Sequence, residues 1–320
     1  MKISVLGAGR WGSFLSWYLN RQNNEVYLYG NEDSRAYKAL KETGKNAYFE
    51  LPKNITLSCD LEFSVKRAEI IVISISAQSL REFIKRVVAI GLDDRKVVLC
   101  MKGVESDTGK RLTEVATEEG VKADNLAVWV GPGHLQEFVN GKPNCMVIDS
   151  TNDELKRYLA DNLKSDLIRF YYGEDLIGSE IGAAAKNVMG IAAGMLDGAG
   201  LTTLKGPLMA RGAREVARLI KAMGGNELSA YGLCHLGDYE TTLFSEFSNN
   251  RRYGQAYVTG EKFEKLAEGV MTTKALKTLG EKYGVELPIT NAIYNTLFCG
   301  KNWKDELPAL FERATRKEFN

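Results

Sequence analysis

The spacing of apolar residues divides this chain into two halves. In the first, short apolar runs recur at strand length: Ile3 with Val5 and Leu6, then 26–29, 70–75, 97–101, 126–130 and 145–148. Runs without polar alternation suit strands buried on both faces of a parallel sheet. Amphipathic segments at 13–20, 79–88 and 108–117 lie between them. The alternation predicts a doubly wound α/β sheet through about residue 172. From Asp175 onward there is no strand-like run, and helical periods cover 179–199, 205–223, 241–247, 262–266, 272–283 and 288–297. Pro288 suits a first helical turn and Gly284 the end of the preceding helix. The expected organisation is an α/β domain over 1–178 and an all-α domain over 179–320.

The first strand runs into G-A-G-R-W-G at 7–12. Strand, glycines and amphipathic helix in this order form the dinucleotide-binding fingerprint of a Rossmann domain. Gly7 makes the tight turn, Gly9 lets a pyrophosphate approach the backbone, and Gly12 lets the helix pack on the strand. The helix N-terminus then offers N–H groups to phosphates. After the second strand come Gly30, Asn31, Glu32 and Asp33. An acid about twenty residues past the third glycine accepts from the ribose hydroxyls of NAD, which suits Glu32. Capping of the next helix by 31–33 is the other reading, so the cofactor is NAD or NADP. Ligands of such sheets bind beyond the carboxyl ends of the strands, where Lys102, Gly131 and His134 lie.

Composition narrows the partners. With 320 residues, 44% hydrophobic and 26% charged, the chain has room for two cored domains. Its 42 basic and 41 acidic residues leave a net charge of +1, so no global field draws nucleic acid or an anionic membrane. Anions must be bound locally. The five cysteines show no C-x-x-C spacing and read as reduced core residues of a cytoplasmic protein. The chain opens directly on strand and fingerprint, so no signal or transit peptide is expected. Lys186, Asn187 and Asp197 interrupt the small apolar stretch 181–201, which argues against a membrane span. His134 and His235 are the only histidines, and neither has a ligand-spaced partner, so no metal is expected.

Lys186 is the most informative polar residue of the second half. At 3.6 residues per turn it shares a stripe with Gly182, Gly190, Ala193 and Asp197. A face this small should admit the nucleotide domain or its cofactor closely. A lysine buried there would have its pKa lowered toward working pH and could exchange a proton with an alcohol. A surface lysine on a packing helix is the other reading.

Several segments carry a resemblance in their order along the chain. They are G-A-G-R-W-G, Lys102-Gly103, Gly131-Pro132, A-A-A-K-N-V-M-G-I-A-A-G from Ala183, Gly237-Asp238, S-N-N-R-R-Y-G from Ser248, A-E-G-V from Ala267 and E-L-P-I from Glu286. Together they resemble bacterial NAD(P)-dependent glycerol-3-phosphate dehydrogenase. The resemblance implies hydride transfer between the nicotinamide and dihydroxyacetone phosphate or sn-glycerol 3-phosphate, serving phospholipid synthesis. It also implies a helical domain like that of 6-phosphogluconate dehydrogenase, a phosphorylated triose as the small-molecule partner, and a homodimer. Lys186 matches the catalytic proton acceptor, Lys102 a lysine touching cofactor and substrate, and Asp238 a carboxylate of the substrate site. Ser248, Asn249, Asn250, Arg251 and Gly131 fall in the implied substrate site. Gly7, Gly9, Arg10, Trp11, Gly12, Asn31, Glu32, Lys102, Leu135 and Glu268 fall in the implied cofactor site.

Three positions depart from the family pattern. Asn249 stands where an arginine is usual, which removes a bidentate grip on phosphate. Gly133-His134 replaces a hydroxyl residue after Gly131-Pro132, and Asn31 replaces a basic residue. A β-hydroxyacid dehydrogenase and a non-catalytic dinucleotide sensor are the alternative readings.

Overall fold

The computed structural model describes residues 1–315, 317 and 318. The chain forms two compact units, one of Met1–Met101 with Leu112–Leu176, the other of Lys102–Arg111 with Ile177–Asn320. The division therefore falls two residues before the expected 178/179 boundary. It also gives the second unit a ten-residue excursion, Lys102–Arg111, that the linear reading left in the first.

The first unit runs β1 (Lys2–Leu6), α1 (Arg10–Arg21), β2 (Glu25–Tyr29), α2 (Arg35–Thr43), β3 (Thr56–Ser58), α3 (Leu61–Arg67), β4 (Ile70–Ile73), α4 (Leu80–Ile90), β5 (Lys96–Leu99), α5 (Leu112–Glu118), β6 (Leu126–Val130), α6 (Leu135–Val139), β7 (Asn144–Asp149), α7 (Asp153–Leu163) and β8 (Ile168–Tyr172). The strands form one sheet in the order β3-β2-β1-β4-β5-β6-β7-β8. Neighbours are parallel except β6 and β7, which run antiparallel. Ile3 pairs with Ile70 and Leu6 with Ile73 where the strand order reverses, the switch point at which such sheets bind ligands. This is the expected doubly wound Rossmann architecture. All four residues of β4 are buried, as its unbroken apolar run requires. Phe14 of α1 stacks on Phe138 of α6 at 5.1 Å between ring centroids.

The second unit contains α8 (Leu176–Gly198), α9 (Lys205–Ala222), α10 (Asn249–Thr259), α11 (Glu268–Lys282), α12 (Pro288–Phe298) and α13 (Trp303–Phe311). Its core gathers Ile181, Val188, Met189, Val216, Tyr239 and Leu276, and Val104 of the excursion is fully buried in it. Pro288 opens α12, and Gly284 follows the α11 end at φ 64°.

Several expected elements take another form. Residues 108–111 do not begin α5, because Val104 bridges Arg111 and the chain turns there. The expected helix 241–247 is a π-helical turn, Glu240–Phe244. The expected helix 262–266 is irregular: it has few apolar residues to bury, and Leu266 is 62% exposed. Helices α10 and α13 had not been anticipated; the first is polar with an interior Gly254, and the second carries Pro308. Of the cysteines, Cys100 and Cys234 are buried and Cys145 is half-buried, but Cys59 and Cys299 are exposed, so the core reading fails for those two. Among the described residues, no helix is long and apolar enough to cross a membrane, and no three His, Cys, Asp or Glu residues gather into a metal-holding group.

Candidate active site

In the first unit Gly7 and Gly12 shape the turn and the packing as their spacing implied. Gly7 has φ +126°, and a Cβ there would strike the Ser74 carbonyl, so the tight turn requires glycine. A Cβ on Gly12 would strike the Gly7 carbonyl, so α1 sits directly against the turn. Gly9 has nothing within 4 Å of where its Cβ would be, and it caps α1 without a side-chain hydrogen bond. Gly9 thus leaves open space beside the start of α1. This cradle fits a dinucleotide pyrophosphate. At the end of β2, the Asp33 amide donates to Asn31 Oδ1, and Ser34, not the 31–33 segment, caps α2 by accepting from the Tyr37 amide. The Glu32 carboxylate lies exposed, 3.7 Å from Lys41.

After β6, Gly131 has φ +127° with Met146 Cα 3.0 Å from where its Cβ would lie, and Gly133 has φ +148°. A Cβ on Gly133 would strike the Phe138 ring. The hydroxyl residue usual in the family has no room here, because Phe138 packs on Phe14 in that space. His134 precedes α6 without capping it through its side chain, and Leu135, the first residue of α6, is buried.

The second unit assembles the chemistry. α8 is 23 residues long and buried almost throughout, so Lys186 lies in a dry environment with 6% of its surface exposed. Its Nζ is 2.5 Å from Asp238 Oδ2 and donates to Thr242 Oγ1 at 2.8 Å. Lys102, from the excursion, donates to the same Asp238 oxygen at 2.8 Å. Thr241 Oγ1 donates to the other oxygen of Asp238. Burial pulls the Lys186 ammonium down to about 7, the Asp238 charge opposes this, and Lys102 adds to it. Burial of Asp238 works against its ionisation, but the two lysine charges outweigh it and hold the carboxyl below its usual range. One carboxylate between two amines, one of them poised near neutrality, is suited to moving a proton at a buried oxygen.

A second set of hydrogen bonds fixes Lys102. Asn187 Nδ2 donates to the Lys102 carbonyl at 3.0 Å, Asn250 Nδ2 donates to Asn187 Oδ1 at 3.0 Å, and the Gly269 amide donates to Asn250 Oδ1 at 2.9 Å. This chain of amides ties the excursion to α8, α10 and the start of α11, where Glu268 is the first residue.

Other residues of the S-N-N-R-R-Y-G segment are differently engaged. Ser248 caps α10, its Oγ accepting from the Arg251 amide. Asn249 Nδ2 donates to the Leu266 carbonyl at 3.1 Å. Arg251 Nε is 2.5 Å from Asp197, which also pairs with Lys205 at 2.6 Å. Asp197 lies eleven residues beyond Lys186 on α8, about 16 Å along the axis at 1.5 Å per residue. Arg251 therefore stands away from the Lys186 cluster. The small stripe also has a different neighbour from the one expected. Gly182 faces His235, and Gly190 faces Thr242 and Asn250, all within the second unit. A cavity of about 540 Å³ opens further along α8, bordered by Met195, Leu208, Ile293 and Trp303, and none of the lysine cluster lines it.

Sequence reasoning passed over two members of this arrangement. Thr242 lies four residues after Asp238, a spacing that places both on one helical face. Asn187 was visible as the second polar residue of an otherwise small and apolar helix.

Known proteins resemble this chain along its length. Residues 2–156 match the N-terminal model of NAD-dependent glycerol-3-phosphate dehydrogenase and residues 175–307 its C-terminal model. A glycerol-3-phosphate dehydrogenase (NAD(P)+) of Moorella thermoacetica is 36% identical, covering 99% of this chain and 97% of that one. Its counterpart in Chlorobium phaeobacteroides is 34% identical over 100% and 99%. The crystal structure of glycerol-3-phosphate dehydrogenase (gpsA) from Coxiella burnetii superposes with a TM-score of 0.91 at 28% identity, covering 98% of this chain and 99% of that one. With both halves of its length matched, and with relatives above 30% identity end to end, this chain belongs to the NAD-dependent glycerol-3-phosphate dehydrogenase family.

Proposed function

We infer that the protein reversibly reduces dihydroxyacetone phosphate to sn-glycerol 3-phosphate with NADH or NADPH, supplying glycerol 3-phosphate for glycerophospholipid synthesis. The observation that carries this reading is the buried Lys186–Asp238–Lys102 cluster in a chain whose full-length relatives are named for that reaction. These relatives favour neither a β-hydroxyacid dehydrogenase nor a non-catalytic sensor.

The bound nicotinamide dinucleotide supplies the hydride in reduction and accepts it in oxidation. Proton transfer and charge stabilisation fall to the protein. Lys186 gives its proton to the substrate oxygen as the ketone is reduced and takes one from the hydroxyl in the reverse direction. Lys102 polarises the carbonyl as negative charge develops. Asp238 orients Lys186 and pairs with both lysines, while Thr242 accepts a further hydrogen bond from the Lys186 ammonium. Gly7, Gly9, Arg10, Trp11, Gly12, Asn31, Glu32 and Leu135 of the first unit would hold the cofactor, and the resemblance assigns Lys102 and Glu268 of the second unit to it as well. Gly131, Ser248, Asn249 and Asn250 serve the substrate. Arg251 contributes by holding the start of α10 to Asp197.

Steady-state oxidation of NADH and of NADPH with dihydroxyacetone phosphate, using unphosphorylated dihydroxyacetone as control, tests the reading. Turnover that requires the phosphate supports it, and the ratio between cofactors measures what Asn31 and Glu32 select. Absence of turnover with either cofactor, despite cofactor binding, defeats it. We further infer a cytoplasmic homodimer. The resemblance to the family supports this reading, and light scattering of the purified protein tests the assembly.

A further inference from the structure

His235 is fully buried and belongs to no step described so far. Its Nδ1 lies 2.9 Å from the Gly182 carbonyl, and its Nε2 lies 2.7 Å from the Tyr239 hydroxyl. A carbonyl only accepts, so Nδ1 carries the proton and Nε2 accepts from Tyr239. Burial together with the nearby Lys186 charge pushes the imidazole down to about 4, so it stays neutral through the working range. Tyr239 is also fully buried, and burial raises its hydroxyl well above the ordinary tyrosine range.

These two contacts involve the two elements that carry the proposed catalytic pair. Gly182 is one helical turn before Lys186 on α8, and its carbonyl is the one to which regular helix geometry directs the Lys186 amide. His235 and Tyr239 flank Asp238 in sequence, and the Asp238 amide donates to the His235 carbonyl at 3.0 Å. Close approach is built in on both sides. A Cβ on Gly182 would lie 3.1 Å from His235 Cβ, and one on Gly212 of α9 would lie 3.1 Å from the Tyr239 hydroxyl.

We propose that His235, backed by Tyr239, is a positioning residue that sets the register of α8 against the 235–239 turn and thereby holds Asp238 at hydrogen-bonding distance from Lys186. The charged groups facing this pair are few. Asp238 and Lys102 face Lys186, while Lys186 and Asp238 act on His235, and Glu215 acts on Tyr239. When the brace is released without admitting water, Asp238 draws away from Lys186 and ceases to hold its proton.

The inference rests on Lys186 as the proton-transfer group, which Lys186→Met tests separately: wild-type turnover in that variant defeats the functional reading whatever His235 does. The brace is tested by kcat, KM and the pH dependence of dihydroxyacetone phosphate reduction in His235→Leu, His235→Asn and Tyr239→Phe, with melting temperature measured alongside. His235→Leu keeps the site apolar and removes both hydrogen bonds. Its kcat is expected to fall roughly 10- to 100-fold, the scale of a misplaced catalytic group. KM for the dinucleotide should be unchanged, and the basic limb of the profile should move to lower pH. His235→Asn restores an N–H toward Gly182 and should recover part of kcat, while Tyr239→Phe should show a smaller change in the same direction. A melting temperature that falls while kcat and the limb stay at wild-type values makes the contacts merely structural and overturns the proposal. If His235→Leu does not fold, wild-type kcat and limb position in both other variants overturn it equally.

Discussion

With Lys186 proposed as the proton-transfer group, the direction of catalysis decides which of its protonation states is useful. Reduction needs the ammonium as donor, so its kcat should fall as pH rises through about 7, whereas oxidation needs the neutral amine and should fall as pH drops below the same point. Opposite limbs in the two directions, read from pH profiles of the chemical step, check this. Lys186→Met keeps the volume and removes the amine, and should lower kcat roughly 10²- to 10⁴-fold with the fold intact. The same variant tests stability. Between about 7 and the ordinary lysine value of 10.5, the unfolded chain binds a proton that the folded chain does not, so this group makes stability rise with pH across that window. Thermal melts of Lys186→Met should show a flatter slope there than wild type. The lysine, its asparagine neighbour and Gly237-Asp238 were all readable along the chain. Their convergence was not: Asp238 is 52 positions from Lys186 and 136 from Lys102, and only folding brings three such charges to one oxygen. Arg251 makes the same point in reverse, since its adjacency to Asn250 did not reveal that its side chain would turn to Asp197.

Helix α8 organises the second unit because small residues let other backbones reach it. A Cβ on Gly194 would strike the Arg251 carbonyl, and one on Gly254 of α10 would strike the Ile191 carbonyl, so α8 and α10 cross with their main chains in contact. Gly194→Ala should force them apart and cost roughly 1–3 kcal/mol, as overpacking does, lowering the midpoint of urea unfolding. Because α10 carries Asn250, whose amide ties α8 to α11, kcat should fall with stability. Composition showed that α8 needed a close partner but not which one, since a small face admits any backbone equally well. The polar sequence of α10 and the interior proline of α13 hid those helices, because neither has the clean apolar stripe on which periodicity depends. Edge strand β8 escaped for a related reason: Arg169, Tyr171 and Tyr172 are exposed along it.

One core is built on the sheet and another on α8. The second is incomplete without Lys102–Arg111, which supplies buried Val104, the Arg111–Glu180 ion pair at 2.7 Å and Gly109 against Leu279. A fragment beginning at residue 177 should therefore bind an apolar dye and melt at lower temperature than the intact chain, and a peptide of residues 102–111 should reduce both effects; a fragment as stable as the whole would contradict this. Local properties were legible in the residues. Apolar run length marked most of the strands, glycine spacing marked the tight turn before α1, and a lysine among small residues marked Lys186 as a candidate for burial, because each follows from backbone sterics or the cost of exposing apolar surface. Partnership was not legible. That Lys102–Arg111 leaves its own sheet for the other core, that Asp238 serves two lysines, and that His235 braces the turn beside them depend on distances between segments remote in sequence. Such contacts arise when buried polar groups find partners across the fold, and neither period nor composition encodes which groups those are.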